Sequence, residues 1–127
     1  MEKVKAEQMA EEVVKKVVNM IAERRYGEIT KIADMGTFTG ELIRELVEDY
    51  LELNELPYID HYDAGCNFHP GYEYKQLSII YYSNGRGFHV DYDLTTQEEL
   101  NDLTLQMEFL YNGREGLTAR FLDLHVM

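Results

Sequence analysis

The sequence predicts an α+β fold in which N-terminal helices pack on one face of a curved antiparallel sheet. Two observations predict it. Apolar residues recur at spacings of three and four through residues 1–56, and they alternate with polar ones through most of residues 57–127. The helical half and the strand half follow one another, and their combined length suits one domain.

In the first half, Met9, Val13, Val14, Val17, Val18 and Ile21 mark the buried face of an amphipathic helix. Glu11 with Lys15 and Glu12 with Lys16 form i, i+4 pairs of favourable polarity. Gly27, after Arg24 and Arg25, is the expected stop. A short piece over Glu28–Met35 adds one or two helical turns and ends at Gly36. Thr37 or Thr39 then caps a second long helix with Glu41 in its first turn. Leu42, Ile43, Leu46, Val47, Tyr50 and Leu51 form its apolar side. Glu41, Glu45, Glu48, Glu52 and Glu55 share a complementary spacing, with Arg44 the one basic residue among them. Like charges one turn apart cost an isolated helix a few tenths of a kcal/mol. This carboxylate stripe is therefore either a function or the solvated face of an acidic protein.

Pro57 closes the helical half. Residues 58–72 read as a strand fragment and a long loop containing Gly65, Pro70 and Gly71. A strand follows over Lys75–Ser83, with Leu77, Ile79 and Tyr81 on one face, and Asn84-Gly85 marks a hairpin. Phe88, Val90, Tyr92 and Leu94 alternate with His89, Asp91 and Asp93, a strand with one wet face. Thr95–Leu100 reads as a polar connecting loop. Leu103, Leu105, Met107, Phe109 and Tyr111 give the clearest alternation in the chain. In the last strand Leu117 and Ala119 share one parity while Leu122, Leu124 and Val126 share the other, so a bulge is expected near Phe121.

Charge narrows the function classes. Twelve Lys and Arg against 24 Asp and Glu give a net charge of -12 and a pI near 4.6. Such a surface repels nucleic acid and anionic lipid and steers cationic partners. The single cysteine, Cys66, excludes an intramolecular disulfide and fits a reducing, cytoplasmic setting. The opening MEKVKAEQMAEE lacks the apolar stretch of a signal peptide, and no run approaches a membrane span.

No glycine-rich phosphate loop, Ser-His-Asp order or H-E-x-x-H helix is present. His61, Asp63, Cys66 and His69 could face one ion across a turn, but H-x-D-x2-C-x2-H matches no common zinc signature, and no metal or cofactor is assigned. Cys66 beside His61 or His69 is an equally unsupported nucleophile. Proton abstraction would need Asp91, Asp93 or Asp102 inside an apolar pocket, with Tyr81, Tyr82 or Tyr92 nearby. Tyrosine is abundant, 10 residues in all, and gathers with acids around residues 58–74. That combination suits a recognition surface.

The run Tyr92–Thr95, the stretch Asp102-Leu103-Thr104-Leu105 and the terminal Asp123-Leu124-His125-Val126 resemble a bacterial family of small proteins. These have an NTF2-like or cystatin-like cone and occur among polymorphic-toxin immunity proteins. Earlier segments match in layout, with Tyr26-Gly27 after the first helix and Asp49-Tyr50 ahead of a proline. The resemblance implies a non-enzymatic immunity protein whose partner is a cognate toxin, a basic domain of nuclease type. In that reading Tyr62 and Tyr72 anchor the contact, and Glu45, Glu48, Glu52, Asp60 and Asp63 pair with Lys and Arg of the toxin. The alternatives are a cone-shaped small-ligand protein or isomerase-like enzyme, and a structural domain that forms a homodimer.

Overall fold

A computed structural model describes residues 2–62 and 76–126. Helix α1 (Lys3–Ala22) and helix α2 (Gly40–Leu53) flank a 3-10 turn at Tyr26–Lys31. Four strands follow, β1 (Leu77–Tyr81), β2 (Gly87–Thr96), β3 (Glu99–Asn112) and β4 (Gly116–Val126). They pair in sequence order as one antiparallel sheet that stays open. The expected α+β class is thus the observed one.

The alternation assigns the two faces of the sheet. Phe88, Val90, Tyr92 and Leu94 of β2 join Leu103, Leu105, Met107 and Phe109 of β3 in the core. Residues of the opposite parity, His89, Asp91, Asp93, Gln106 and Glu108, occupy the other face and are half-buried. Register confirms the bulge in β4: Gln106 pairs with Asp123 and Met107 with Phe121, so Leu122 is the extra residue. That slip puts both Phe121 and Leu124 in the core. Ala6, Ala10, Val14, Val17, Val18 and Ile21 of α1 pack against this layer, and Ile43, Val47, Tyr50 and Leu51 bring in α2.

Four local expectations are corrected. First, α1 ends at Ala22, ahead of Gly27. Arg25 N–H bonds Met20 O and Arg24 N–H bonds Ile21 O, a Schellman stop with Arg24 at φ 61°. It is Gly40 that permits a close approach of two backbones there, since a Cβ on Gly40 would lie 2.7 Å from Gly27 Cα, whereas one on Gly27 would meet nothing within 4 Å. Second, the i, i+4 pairs of α1 do not form; Glu11 instead accepts from Tyr62 Oη at 3.1 Å. Third, residues 58–62 are not a strand. Fourth, Thr95–Leu100 is mostly strand, since the β2–β3 connection is only Gln97-Glu98. The Thr39 cap is as expected, accepting from Leu42 N–H at 3.0 Å.

The outer edge of β4 is partly closed by the segment after the 3-10 turn. Asp34 N–H donates to Ala119 O at 2.9 Å and Phe121 N–H donates to Asp34 O at 2.7 Å. Phe38 packs edge-on against Phe121, with centroids 4.9 Å apart. The edge groups of that strand would otherwise invite pairing with another chain.

Candidate functional site

Helix α2 has one face in the core and a broad remainder turned to solvent. Leu42, Leu46, Asp49 and Leu53 follow spacings of four, three and four, which aligns them along one flank. The apolar spacing places Leu42 and Leu46 inside, but they are 39% and 37% exposed, and Leu53 is 84% exposed. The helical wheel explains the difference. The core takes the stripe centred on Ile43, Val47 and Tyr50, and Leu42 and Leu46 lie one step off it.

Glu45 and Glu52 lie beside this apolar flank, exposed. Among the described residues the side chains of Glu45, Asp49, Glu52 and Glu55 take part in no hydrogen bond or ion pair. Asp49, Glu52 and Glu55 crowd the negative end of the helix dipole, and the last turn holds no basic residue. Each such acid costs on the order of 0.3 kcal/mol at an exposed site. A shallow cavity of about 500 Å³ opens over Asp49, Glu52, Leu53 and Glu55. The arrangement favours a ligand that carries positive charge next to an apolar surface.

Glu48, Asp60 and Tyr62, also expected to contact a partner, make contacts within the chain. Glu48 is half-buried and accepts from Arg24, and from Tyr26 Oη at 3.1 Å. Burial, then the Glu48 carboxylate, push the Tyr26 hydroxyl up to about 12. Asp60 is 9% exposed and its carboxylate accepts three bonds, from Thr95 Oγ1 at 2.8 Å, Gln97 N–H at 3.0 Å and Glu98 N–H at 2.8 Å. It latches the β2–β3 turn, where Gln97 and Glu98 both hold positive φ, 54° and 66°. Such a turn favours Asn-Gly, so an outside acceptor offsets the strain. Tyr62 stacks on Tyr92 at 5.1 Å and bonds Glu11, which ties the chain to α1 and the sheet. Asp63 and Tyr72 lie outside the described residues, as do Cys66 and His69 of the metal expectation. His61 is near Glu23, with Nε2 2.9 Å from Oε2. Among the described residues no cluster of His, Cys, Asp and Glu could hold a metal.

Among the described residues, the acids considered for proton abstraction line no common cavity. Asp91 and Asp93 project from the polar face of β2, opposite Tyr92. Thr104 Oγ1 donates to Asp93 Oδ1 at 3.0 Å. Asp91 Oδ1 is buried without a hydrogen bond, and His125 Nδ1 approaches Asp123 Oδ2 at 3.0 Å without hydrogen-bond alignment. Asp102 is exposed on β3, beside a polar notch. No helix among the described residues is long and apolar enough to cross a membrane.

A family model described as "Domain of unknown function (DUF7668)" matches residues 18–127. The chain belongs to this family. No curated protein and no solved structure matches it. The DUF7668 match begins inside α1 and takes in α2 and the whole sheet, so the free face of α2 and the Asp60 latch both fall within the family's domain.

Proposed function

We propose that this chain is a non-enzymatic binding protein that docks a basic protein domain on the free face of α2, and that it acts as an immunity protein for a cognate bacterial toxin. The observation that carries the docking reading is the unspent charge of α2. Among the described residues Glu45, Asp49, Glu52 and Glu55 form no hydrogen bond or ion pair through their side chains, and they flank the exposed Leu42, Leu46 and Leu53. A cationic partner would relieve the repulsion at the helix end and cover the leucines together. Acidic steering would set the association rate, and the leucines would slow dissociation. The toxin assignment comes from the sequence resemblance, and the net charge of -12 agrees with a basic target.

The test uses the product of the neighbouring open reading frame. That product should inhibit growth when expressed alone, and co-expression of this chain should relieve it. E45K/D49K/E52K should slow association roughly tenfold or more at low salt and weaken its salt dependence. A neighbour that is harmless alone removes the immunity assignment. An unchanged association rate removes α2 as the docking face.

A further inference from the structure

The two edges of the sheet are finished differently. Asp34 bonds to the outer side of β4, whereas β1 forms the opposite edge and pairs with β2 alone. Tyr82 N–H donates to Gly87 O and Asp93 N–H donates to Gln76 O, both at 2.9 Å, so the even-numbered residues of β1 turn their main chain toward β2. The N–H and C=O groups of Leu77, Ile79 and Tyr81 therefore point away from the sheet, and they bond no described residue.

None of the usual guards against further pairing is present on this edge. Strand β1 holds no proline, lysine or bulge, and the run from Gln76 to Ser83 carries no charge, whereas β2, β3 and β4 each carry acids. Ile80 is 41% exposed. In a chain of net charge -12, a second copy is repelled by most of the surface. The β1 edge is the part of the sheet where that repulsion is weakest.

The flanks of the edge are complementary end to end. At Tyr81, Lys3 of α1 lies over the ring, 4.7 Å from its centroid, and pairs with no carboxylate among the described residues, while Glu7 is held by the Tyr81 hydroxyl. At the other end Leu77 is opposite Tyr92, on which Tyr62 stacks, and Tyr62 Oη donates to Glu11 of α1 at 3.1 Å. One end is thus flanked by an unpaired ammonium and the other by a carboxylate. An antiparallel second copy brings the Lys3 end of each edge beside the Glu11 end of the other.

We infer that two copies of this chain associate through antiparallel pairing of β1 with β1, centred on Ile79, which joins the two four-stranded sheets into one. Leu77 of one copy lies opposite Tyr81 of the other, and Ile79 opposite Ile79. Every outward N–H of the three residues then meets an outward C=O, and the contact is isologous. Leu77, Ile79 and Tyr81, which pack against the core from its margin, continue the apolar layer across the junction. No residue of α2 takes part, so the inference stands apart from the docking reading. The paired edge is short, so a dissociation constant of roughly 10–100 μM is expected.

The test is sedimentation equilibrium from about 5 μM to about 500 μM protein, which brackets that constant, together with main-chain amide exchange by NMR over the same range. A monomer–dimer equilibrium is expected, with exchange at Leu77, Ile79 and Tyr81 slowing at least fivefold as the dimer fills. In the dimer Ser78 of one copy is opposite Ile80 of the other, so S78K/I80K sets lysine against lysine and should abolish self-association. S78E/I80E should do the same, and an equimolar mixture of the two variants should restore the dimer. Wild-type amide resonances in α1 and α2 would show that both variants fold. A chain that stays monomeric throughout, protection of the three amides that does not depend on concentration, a dimer that survives S78K/I80K, or a mixture that fails to pair would each overturn the inference.

Discussion

Helices α1 and α2 carry similar amphipathic patterns, yet they use their charged residues differently. Four of the seven on α1 reach other parts of the chain, whereas Glu12, Lys15 and Lys16 face solvent. Glu7 accepts from Tyr81, Glu11 accepts from Tyr62, and Lys5 pairs with Glu115 at 2.6 Å. Lys3 lies over the Tyr81 ring, 4.7 Å from its centroid. On α2, among the described residues, only Glu41 and Glu48 of the acids are engaged, by Arg44 and by Arg24 with Tyr26. Acidic residues on a helix are thus of two kinds. Those that stitch a helix to a sheet matter to folding, and those left facing solvent are available to a partner.

Asp60 is the extreme case of an engaged acid, and changing it should produce the largest effect on stability. D60A removes the acceptor of two turn amides and a hydroxyl while Gln97 and Glu98 remain at positive φ. A loss of about 3 kcal/mol is expected, from hydrogen bonds to a charged acceptor. Urea denaturation measures it. D60N keeps one acceptor oxygen and should lose less. A D60A midpoint equal to the wild type would break the distinction, since Asp60 would then be as dispensable as Glu45.

Glu55 offers the opposite case. It occupies the left-handed position after α2 at φ 55°, where Leu56 N–H bonds Leu51 O and Glu55 N–H bonds Glu52 O. Glycine is the ordinary residue there. E55G should stabilise the fold by up to about 1 kcal/mol, through relief of backbone strain and of charge at the helix end. The same change should weaken association with a cationic partner. Denaturation and binding would then move in opposite directions, which is the signature of an acid unspent by the fold. A destabilised E55G would show that the glutamate serves the fold after all.

Much of the fold was legible in the sequence because the alternation and the helical spacing are regular. Even the bulge followed from the change of parity between Ala119 and Leu122. The end of α1 was not legible, since a Schellman stop built on Arg24 lacks the usual glycine signal. The β2–β3 turn was hidden for a related reason: Gln97-Glu98 is poor turn chemistry locally, and its support comes from Asp60 far upstream. The carboxylate stripe of α2 was visible, but its members were not equivalent. Glu48 is engaged through the Arg24 stop, which no helical wheel displays. Leu42 and Leu46 read as core because hydrophobicity alone does not say how wide a stripe the sheet can cover.

Glu23 gives the smallest expected effect and the finest probe of engaged charge. It sits at the end of α1, where its Oε2 meets His61 Nε2 at 2.9 Å and its Oε1 accepts from Arg25 Nε at 2.9 Å. The hydrogen bond with His61, opposed by slight desolvation and aided by Arg25, holds the Glu23 carboxyl below its ordinary value. A group depressed on folding contributes stability that is present above its unfolded pKa and is lost as pH falls through the folded one. H61A should therefore return the Glu23 titration toward the ordinary carboxyl range, as followed by side-chain carboxyl NMR. It should also reduce stability slightly at neutral pH and not at all below the folded Glu23 value. Because this contact is exposed, the change in midpoint should be much smaller than that of D60A. A Glu23 titration identical in H61A and wild type would mean that residue 61 does not engage α1 in solution, and the contrast between the two helices would then rest on Glu7, Glu11 and Lys5.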